Sequence, residues 1–521
     1  MRSYDDHLTD PDFGSAFERG ETAGLIDGCA GGSCGVLAHF LLDVDDAGVI
    51  VECSARVRGR AAAFAAASAF CEAARGRTVV DAARLGLGTL HPSFGQLDDE
   101  ACDRALVVED GFHHALGRWA FDQMQAAGPG VGRNRPAIPA AIADVAQRPA
   151  VIVGMSGGVD SAIALHREHE RAGSGGAIGA TLRLWIDPRA PDPDSACCSP
   201  DSVRRARATC HAAGLPHLSI DLRESFARAV VVPFVTEYAT GATPNPCIRC
   251  NGTFRLDELV RLADVLGAER IATGHYARIV ERDGVALIAR GVDGSKDQSY
   301  MLAQVAPETV ARMSFPLGEE HKVDIRVEAT ARGLEQATTP ESQEVCFLGG
   351  GDYREFLTRA GAMGTPGDLV LRDTDGSERV VGSHDGVARF TPGQRRGIGV
   401  SAHAPLYVMD VDPASGRVVV GTDPSDLDHH RVLLGELDLH ARHLPQELFV
   451  QLRYRSRDGA RPARLVLDET GAGAVLELLQ TQRAPAPGQV AVLYDADGVV
   501  LGTGRICRDR STVLVGARSD G

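Results

Sequence analysis

Three stretches of this chain hold residue types and spacings that could do chemistry. The first is Gly154-Met155-Ser156-Gly157-Gly158-Val159-Asp160-Ser161. The apolar residues Val151 to Val153 precede it and Ala162-Ile163-Ala164-Leu165 follows, the pattern of a buried strand turning into a helix. Gly157 and Gly158 are expected to take φ > 0 and bare their backbone N–H groups. The helix N-terminus adds partial positive charge, and Ser156 and Ser161 add hydroxyl donors. Together they form a cradle for phosphate or pyrophosphate. No Gly-Lys-Ser/Thr closes the stretch, so it is not a Walker loop. The second stretch is Thr243-Pro244-Asn245-Pro246-Cys247-Ile248-Arg249-Cys250-Asn251. Its prolines forbid helix until after Pro246, and Cys-x-x-Cys then opens a helix running from about 252. A thiol near a helix N-terminus has its thiolate, the reactive form, stabilised. Structural zinc would need a second ligand pair at zinc spacing, which the sequence lacks. The third is Ser295-Lys296-Asp297-Gln298-Ser299-Tyr300, a turn holding one of only two lysines, Lys296 and Lys322, among 54 basic residues. Such bias makes each lysine worth asking about, since Lys brings a compact ammonium and Arg a planar fork.

These stretches need elements to position them. From Pro149 the pattern alternates strand and helix: strands at 151–154, 177–185, 217–221 and 270–273, and helices after Asp160, at 202–213 and at 254–266. That predicts a doubly wound parallel sheet, with the site at the carboxyl ends of its strands. The phosphate cradle sits at one such end and Thr273-Gly274-His275-Tyr276 at another.

At 521 residues the chain exceeds one ordinary core, and three or four domains are expected. Residues 1–128 read as an α+β domain: strands from Gly35 to Val57 in a meander turning at 45–48, an Ala-rich helix at 61–74 and another at 107–121. Residues 129–147, rich in Gly, Pro and Arg, read as a linker. The catalytic domain is expected over 148–345, a central β-rich domain over 346–428 and a C-terminal β-barrel over 429–521. Barrel strands are expected at 432–434, 448–454, 463–467, 489–494 and 513–515. Without an 18-residue apolar run and with a polar, acidic N-terminus, a cytoplasmic protein without a membrane partner is expected. Twelve cysteines then point to thiol chemistry, metal binding or core positions, not a disulfide framework. The net charge of −16 argues against nucleic acid overall. Residues 431–521, with 12 Arg against 11 acidic residues, leave room for a local basic face.

The first stretch resembles the pyrophosphate loop (PP-loop) of ATP pyrophosphatases, which cleave ATP between the α and β phosphates and adenylate a substrate. Six motifs in order make the resemblance specific: Ser-Gly-Gly-Val-Asp-Ser, Thr-Pro-Asn-Pro-x-x-x-Cys-Asn, Ala-Thr-Gly-His-Tyr-Ala-Arg, Lys-Asp-Gln-Ser-Tyr, Ser342-Gln343-Glu344-Val345-Cys346-Phe347 and Thr391-Pro392-Gly393-Gln394-Arg395-Arg396-Gly397. From about 149 onward the chain resembles the tRNA-specific 2-thiouridylases, the MnmA/TrmU family. Adenylation would turn the uridine 2-oxygen into a phosphate-type leaving group, and a sulfur nucleophile would displace it. The resemblance implies ATP at Gly154, Met155, Ser156, Gly157, Gly158, Val159, Asp160 and Ser161, with Leu182 and Gly274 flanking the adenine. Mg²⁺ would come with ATP, Asp160 serving as metal partner or base. It makes Cys346 the persulfide carrier and Cys250 the second catalytic thiol, which would have to meet in space. It assigns Asn245, Pro246, Cys247, His275, Lys296, Asp297, Gln298, Arg395, Arg396, Arg453, Tyr454 and Gln489 to tRNA or the target base. The partners would be the tRNA anticodon loop, its wobble uridine flipped out, and a cysteine desulfurase or other persulfide donor.

Residues 1 to about 130 resemble the IscU/NifU N-terminal iron–sulfur scaffold, with departures. Ser33-Cys34-Gly35 falls at its first ligand, but Val57-Arg58-Gly59-Arg60 and Arg104 stand where two ligand cysteines belong. A cluster normally needs about four ligands. A docking or structural domain is therefore expected, with a sulfur relay through Cys34 as the alternative. Cys247 lies where some relatives carry aspartate, so Cys247, Cys250 and Cys346 could instead ligate a labile iron–sulfur cluster. The doublet Cys197-Cys198 could accept sulfur. Two other readings stand beside the thiolase: another PP-loop adenylating enzyme, which needs no paired cysteines, and a non-catalytic sulfur scaffold with a vestigial ATP site.

Overall fold

The computed structural model describes residues 2–19, 24–128, 149–173, 176–185, 187, 199–338, 348, 351–453, 459–468, 471, 473–483 and 485–508. The expected linker at 129–147 therefore lies outside the described residues. No described helix is long and apolar enough to cross a membrane.

The N-terminal region is an antiparallel meander of β1 (Ile26–Gly31), β2 (Leu37–Val44) and β3 (Ile50–Arg58). Helices Ala61–Ala74 and Asp99–Ala126 cover it. Eight of the first helix's alanines are buried, and Phe40, Phe70 and Phe112 fill the layer between, with Phe70 stacked on Phe112 at 4.7 Å. The sequence pattern missed β1, because Ile-Asp-Gly-Cys-Ala-Gly has too little side-chain bulk to show alternation. Gly28 is needed there: a Cβ would lie 2.1 Å from the Ala115 backbone nitrogen. The second helix is also longer than the expected 107–121, because Asp98 caps it, its carboxylate accepting from the Ala101 N–H at 2.8 Å.

The region expected to be catalytic carries β4 (Val151–Gly154), β5 (Ala177–Arg183), β6 (His217–Asp221), β7 (Arg270–Thr273), an antiparallel ribbon of β8 (Ala277–Arg282) and β9 (Val285–Arg290), and β10 (Met313–Ser314). Its sheet is parallel throughout, in the order β10-β7-β4-β5-β6. Strands buried on both faces need near-continuous apolar runs, which Val151, Ile152 and Val153 supply. The chain leaves β4 toward β5 on one side and later returns to β7 on the other. The crevice beyond β4, which the glycine loop at 154–161 borders, is therefore the switch point of the sheet.

The central region is a four-stranded sheet, β11 (Gly367–Arg372), β12 (Glu378–His384), β13 (Tyr407–Asp412) and β14 (Arg417–Gly421), in the order β12-β11-β14-β13. A closed six-stranded barrel follows: β15 (Asp428–Leu439), β16 (Leu448–Gln451), β17 (Arg461–Leu467), β18 (Ala474–Arg483), β19 (Val490–Tyr494) and β20 (Val500–Cys507). The strand expected at 448–454 ends at Gln451, and the one expected at 513–515 lies outside the described residues. Strands β18 and β20 had no expectation attached to them.

Two junctions bear on the site. Helix Asp99–Ala126 lies along β6, the edge of the catalytic sheet, so closely that a Gly117 Cβ would stand 1.9 Å from the Ser219 carbonyl oxygen. On the opposite flank, Tyr300 donates its hydroxyl to the Val490 carbonyl at 2.7 Å, tying the catalytic region to the barrel.

Candidate active site

The glycine loop joins β4 to helix Val159–Ala172. Gly157 has φ 76°, as expected, and a Cβ there would lie 2.4 Å from the Ser202 carbonyl oxygen. Gly158 departs from expectation: its φ is −93°, because it is the extended residue before the helix rather than part of the left-handed turn. Hydroxyls close the loop on itself. Ser161 Oγ accepts the Ser156 N–H at 3.2 Å and donates to the Gly158 carbonyl at 2.9 Å. Met155 is built into the sheet by its backbone, its N–H on Ala180 O at 2.8 Å and its carbonyl accepting from Thr181 Oγ1 at 3.1 Å. Leu182, the residue before the last of β5, is 8% exposed. Gly274 lets the end of β7 approach the loop, since a Cβ would stand 2.6 to 2.8 Å from the backbone of Asp160 and Ser161.

Asp160, in the first turn of that helix, holds a cation. Lys322 Nζ lies 2.7 Å from both carboxylate oxygens, and the Tyr276 hydroxyl donates to Oδ1 at 2.9 Å. Lys322 is 6% exposed, and its N–H is anchored on Asp293 Oδ2 at 3.1 Å. Sequence reasoning gave Lys322 no role, though its rarity was a signal. What it could not show was that a residue 162 positions away points into the loop. Mg²⁺ carried by phosphates needs only one or two protein carboxylates, and Asp160 meets that minimum. Both of its oxygens already face Lys322, so the cation set beside the loop is an ammonium.

The stretch from Thr243 is pinned from two sides. The Thr243 N–H donates to Pro487 O at 2.8 Å, Gln489 Nε2 donates to Thr243 O at 2.9 Å, and the hydroxyls of Thr243 and Thr391 meet at 3.3 Å. Thus the central region and the barrel both grip this loop. Helix begins earlier than expected, at Pro246, whose fixed φ suits a first helical position. Asn245 caps it, its side-chain oxygen accepting from the N–H groups of Cys247 (3.1 Å) and Ile248 (3.3 Å). A π-type turn at Asn251–Arg255 joins Pro246–Cys250 to helix Leu256–Leu266. The thiol expectation fails at Cys247. Burial, with the neighbouring Cys250 adding to it, pushes the thiol up to about 11, so desolvation outweighs the helix N-terminus. Cys250 is buried, 6% exposed.

The residues assigned to tRNA divide by exposure. Asp297 accepts the N–H groups of Gly291 and Ser299 at 3.0 and 3.1 Å, and the Ser299 hydroxyl at 2.9 Å. Gln298 Oε1 accepts the Tyr276 N–H at 3.0 Å. These two side chains thus brace the turn against the end of β7. Half-buried His275 faces Thr273 Oγ1 at 2.8 Å; burial, with the Arg255 charge, pushes its ring down to about 3, so it is neutral at pH 7. Lys296 lies half-buried on the same turn. Arg395, Arg396 and Arg453 are exposed, and among the described residues no carboxylate pairs with them. Cys346, Tyr454 and the Cys197-Cys198 doublet lie outside the described residues.

In the N-terminal region Cys34 is exposed in a turn closed by Gly35 N–H on Gly32 O at 3.0 Å, and Cys29 is exposed on β1. Cys53 and Cys71 are buried core thiols 3.7 Å apart. Among the described residues, no group of three or more His, Cys, Asp or Glu side chains is arranged to hold a metal.

Three family models cover the chain from residue 149. They are described as a tRNA methyl transferase HUP domain (149–350), a tRNA methyl transferase PRC-barrel domain (354–422) and an aminomethyltransferase beta-barrel domain (430–506). A protein of Rubrobacter xylanophilus named bifunctional protein NifU/MnmA is 39% identical over 509 residues, spanning 96% of this chain and 97% of its own length. Proteins named tRNA-specific 2-thiouridylase MnmA from Sorangium cellulosum and a Roseiflexus species are 42% and 39% identical. They match 68% and 69% of this chain, and 91% and 99% of their own lengths.

Proposed function

Because the chain belongs to the tRNA-specific 2-thiouridylase (MnmA) family and carries an N-terminal NifU-like region, we propose that it replaces the 2-oxygen of a tRNA wobble uridine by sulfur at the expense of ATP. One observation carries the ATP half of this reading. The loop after β4 has its left-handed Gly157, its self-bonded serines and a buried ammonium on Asp160, at the switch point of a parallel sheet. Oriented N–H groups, a helix N-terminus and a compact cation suit the β and γ phosphates that leave as pyrophosphate. Gly154 to Ser161 would hold ATP, with Leu182 and Gly274 beside the adenine, and Mg²⁺ would arrive with the nucleotide. On binding, Lys322 would exchange Asp160 for a phosphate oxygen and neutralise charge on the leaving group.

The uridine 2-oxygen attacks the α-phosphorus, a P–O bond forms, and pyrophosphate departs. Sulfur then comes from a persulfide on Cys346. Either its terminal sulfur attacks C2 directly and Cys250 breaks the resulting S–S bond, or Cys250 first releases hydrosulfide, which attacks C2. Both routes expel AMP and end with 2-thiouridine and a Cys250–Cys346 disulfide. The two electrons that reduce the sulfane sulfur come from the two thiols, and a dithiol reductant resets them. A buried Cys250 suits this reading, since bulk water is kept from the hydrosulfide. Asn245, Pro246 and Cys247 would meet the target base, with His275, Lys296, Asp297 and Gln298 shaping its surroundings. Arg395, Arg396, Arg453, Tyr454 and Gln489 would face the tRNA. Three exposed arginines that have no acidic partner among the described residues are suited to phosphates.

The test is thiolation of unmodified tRNA with ATP, Mg²⁺, a cysteine desulfurase and dithiothreitol, read by retardation in a mercury gel. Product is expected from the parent and none above about one hundredth of it from Cys250→Ser or Cys346→Ser. Full activity in both variants would point to another adenylating chemistry. No product from the parent with several tRNAs would sink the thiolase reading.

A further inference from the structure

On the outer side of helix Pro200–Ala212 the N-terminal region closes an ionic clasp. Asp110 Oδ2 accepts from Arg204 Nε at 2.8 Å and Nη2 at 2.6 Å. Arg207 bridges both acids, with Nη2 on Asp110 Oδ1 and Nε on Glu109 Oε1, each at 2.7 Å. The second Glu109 oxygen accepts the Leu87 N–H at 3.0 Å. Arg207 is 2% exposed and Glu109 5%. Apolar residues would hold two domains together at least as well, because desolvating charges offsets most of their attraction. What a planar fork on two carboxylates adds is a fixed direction and register.

The clasped helix starts against the nucleotide loop. Its Ser202 carbonyl is the atom that a Cβ at Gly157 would strike. Ser202 is held in place by the Ser199 cap, its N–H on Ser199 Oγ at 3.2 Å, and by Arg205 Nη2 on its hydroxyl at 3.0 Å. From Ser202 to Arg204 is less than one helical turn. The inner face of the helix rests on the sheet through Ala206 and Cys210, apolar contacts that resist separation more than sliding. Directional bonds fix its position along its own axis: Gln336 Nε2 donates to Thr209 Oγ1 and His211 faces Ala83 O, both at 3.0 Å and near its C-terminal end, while the clasp holds the part nearer the loop.

We propose that Asp110 and Arg204, with the Glu109–Arg207 pair behind them, are positioning residues for the nucleotide. The NifU-like region sets the helix against Gly157 and so holds the pyrophosphate cradle in its binding shape. This gives the region a task that needs no cluster and no thiol. The proposal rests on the reading that the loop binds ATP. Backbone donors act on a phosphate only when aligned, so a small slide of the helix weakens nucleotide binding before it alters anything that follows.

The experiment uses the full-length chain and the variants Asp110→Asn, Arg204→Gln, Arg204→Lys and the double variant D110N/R204Q. Pyrophosphate release with tRNA gives kcat and the KM values for ATP and tRNA, and binding of a fluorescent ATP analogue is measured separately. Expected are a KM for ATP raised about 5- to 20-fold in both neutral variants, kcat and the KM for tRNA within about twofold of the parent, and partial recovery in R204K. The double variant should be no worse than the weaker single, since both break one path. A KM for ATP within twofold of the parent in both single variants overturns the proposal. So does a loss spread equally over ATP, tRNA and kcat, which would mark the clasp as structural only. If Asp110→Asn fails to fold, Arg204→Gln, on the more exposed arm, decides alone. A parent chain that binds no ATP would instead bring down the nucleotide reading itself.

Discussion

At the scale of single residues, the site turns on one ammonium and two glycines. Lys322 sits on the Asp160 carboxylate, and on the proposed reading it would pass to a phosphate oxygen once ATP binds. Lys322→Met should therefore cost about 10²-fold in kcat/KM for pyrophosphate release, and Lys322→Arg should recover little, because a planar fork cannot replace a point charge between one carboxylate and one phosphate. Steady-state kinetics with ATP varied at saturating tRNA checks this; an Arg variant equal to the parent would remove the steric part of the assignment. Gly157→Ala should be worse for ATP than Gly158→Ala. The first has φ 76° and a backbone oxygen 2.4 Å from the new methyl, whereas the second has an extended φ of −93° and meets only Ser156 Oγ at 3.5 Å. Isothermal titration of the two variants with a non-hydrolysable ATP analogue gives the order directly.

At the scale of elements, the helix that opens at Pro246 carries both described thiols of the site. Its start depends on Asn245, which satisfies two N–H groups that would otherwise lack partners. Asn245→Ala should cost about 1 kcal/mol of stability, the ordinary worth of a helix cap. Activity should fall well beyond that, about tenfold or more, because Cys250 lies one turn along and its position follows the cap. Thermal unfolding and thiolation rate measured on the same preparation separate the two effects; a rate loss no larger than the stability loss predicts would reduce Asn245 to a structural cap. The helix also shows how far a local rule reaches. A helix N-terminus lowers a thiol's affinity for its proton, yet burial raises Cys247 to about 11. Spacing placed the cysteine near the start of a helix and could not tell how much water would be left around it.

At the scale of the whole molecule, the seam between the NifU-like region and the catalytic sheet contains three histidines. His113 faces Leu85 O at 2.8 Å, His211 faces Ala83 O at 3.0 Å, and His217 faces Thr181 Oγ1 at 2.9 Å. Burial holds all three below the usual imidazole range, and the Arg207 charge adds to it. The consequence for stability has one sign. Above about pH 6.5 these rings are neutral both folded and unfolded, and nothing is lost. Below it the unfolded chain takes up protons that the folded chain refuses, so stability falls as pH falls toward the depressed values. The thermal midpoint should drop from pH 7 to pH 5, and His113→Gln should flatten that slope; equal slopes would remove the seam from the explanation. The same seam covers edge strand β6, and an uncovered edge is a template for pairing with other chains. A chain starting near Gln147 should therefore self-associate at concentrations where the full chain does not, which light scattering measures.

Much was legible along the chain because its cause is local. The strand-to-helix turn at 154–161, the alternation that makes a parallel sheet, and the meander turn at 45–48 follow from periodicity and from residues with restricted or relaxed backbones. The ordered motifs pointed to the family for the same reason: each is a short run whose spacing survives unfolding. What only the tertiary structure decided depends on partners far apart in sequence. Lys322 reaches Asp160 across 162 positions, Thr243 is gripped by Pro487, Gln489 and Thr391, and Asp297 and Gln298 spend their acceptors on backbone N–H groups. The long helix Asp99–Ala126 read as an element of its own region, but its acidic pair faces two arginines of the catalytic helix Pro200–Ala212. Desolvation and ion pairing depend on what surrounds a group in space, and a linear pattern holds no record of that until the chain has closed on itself.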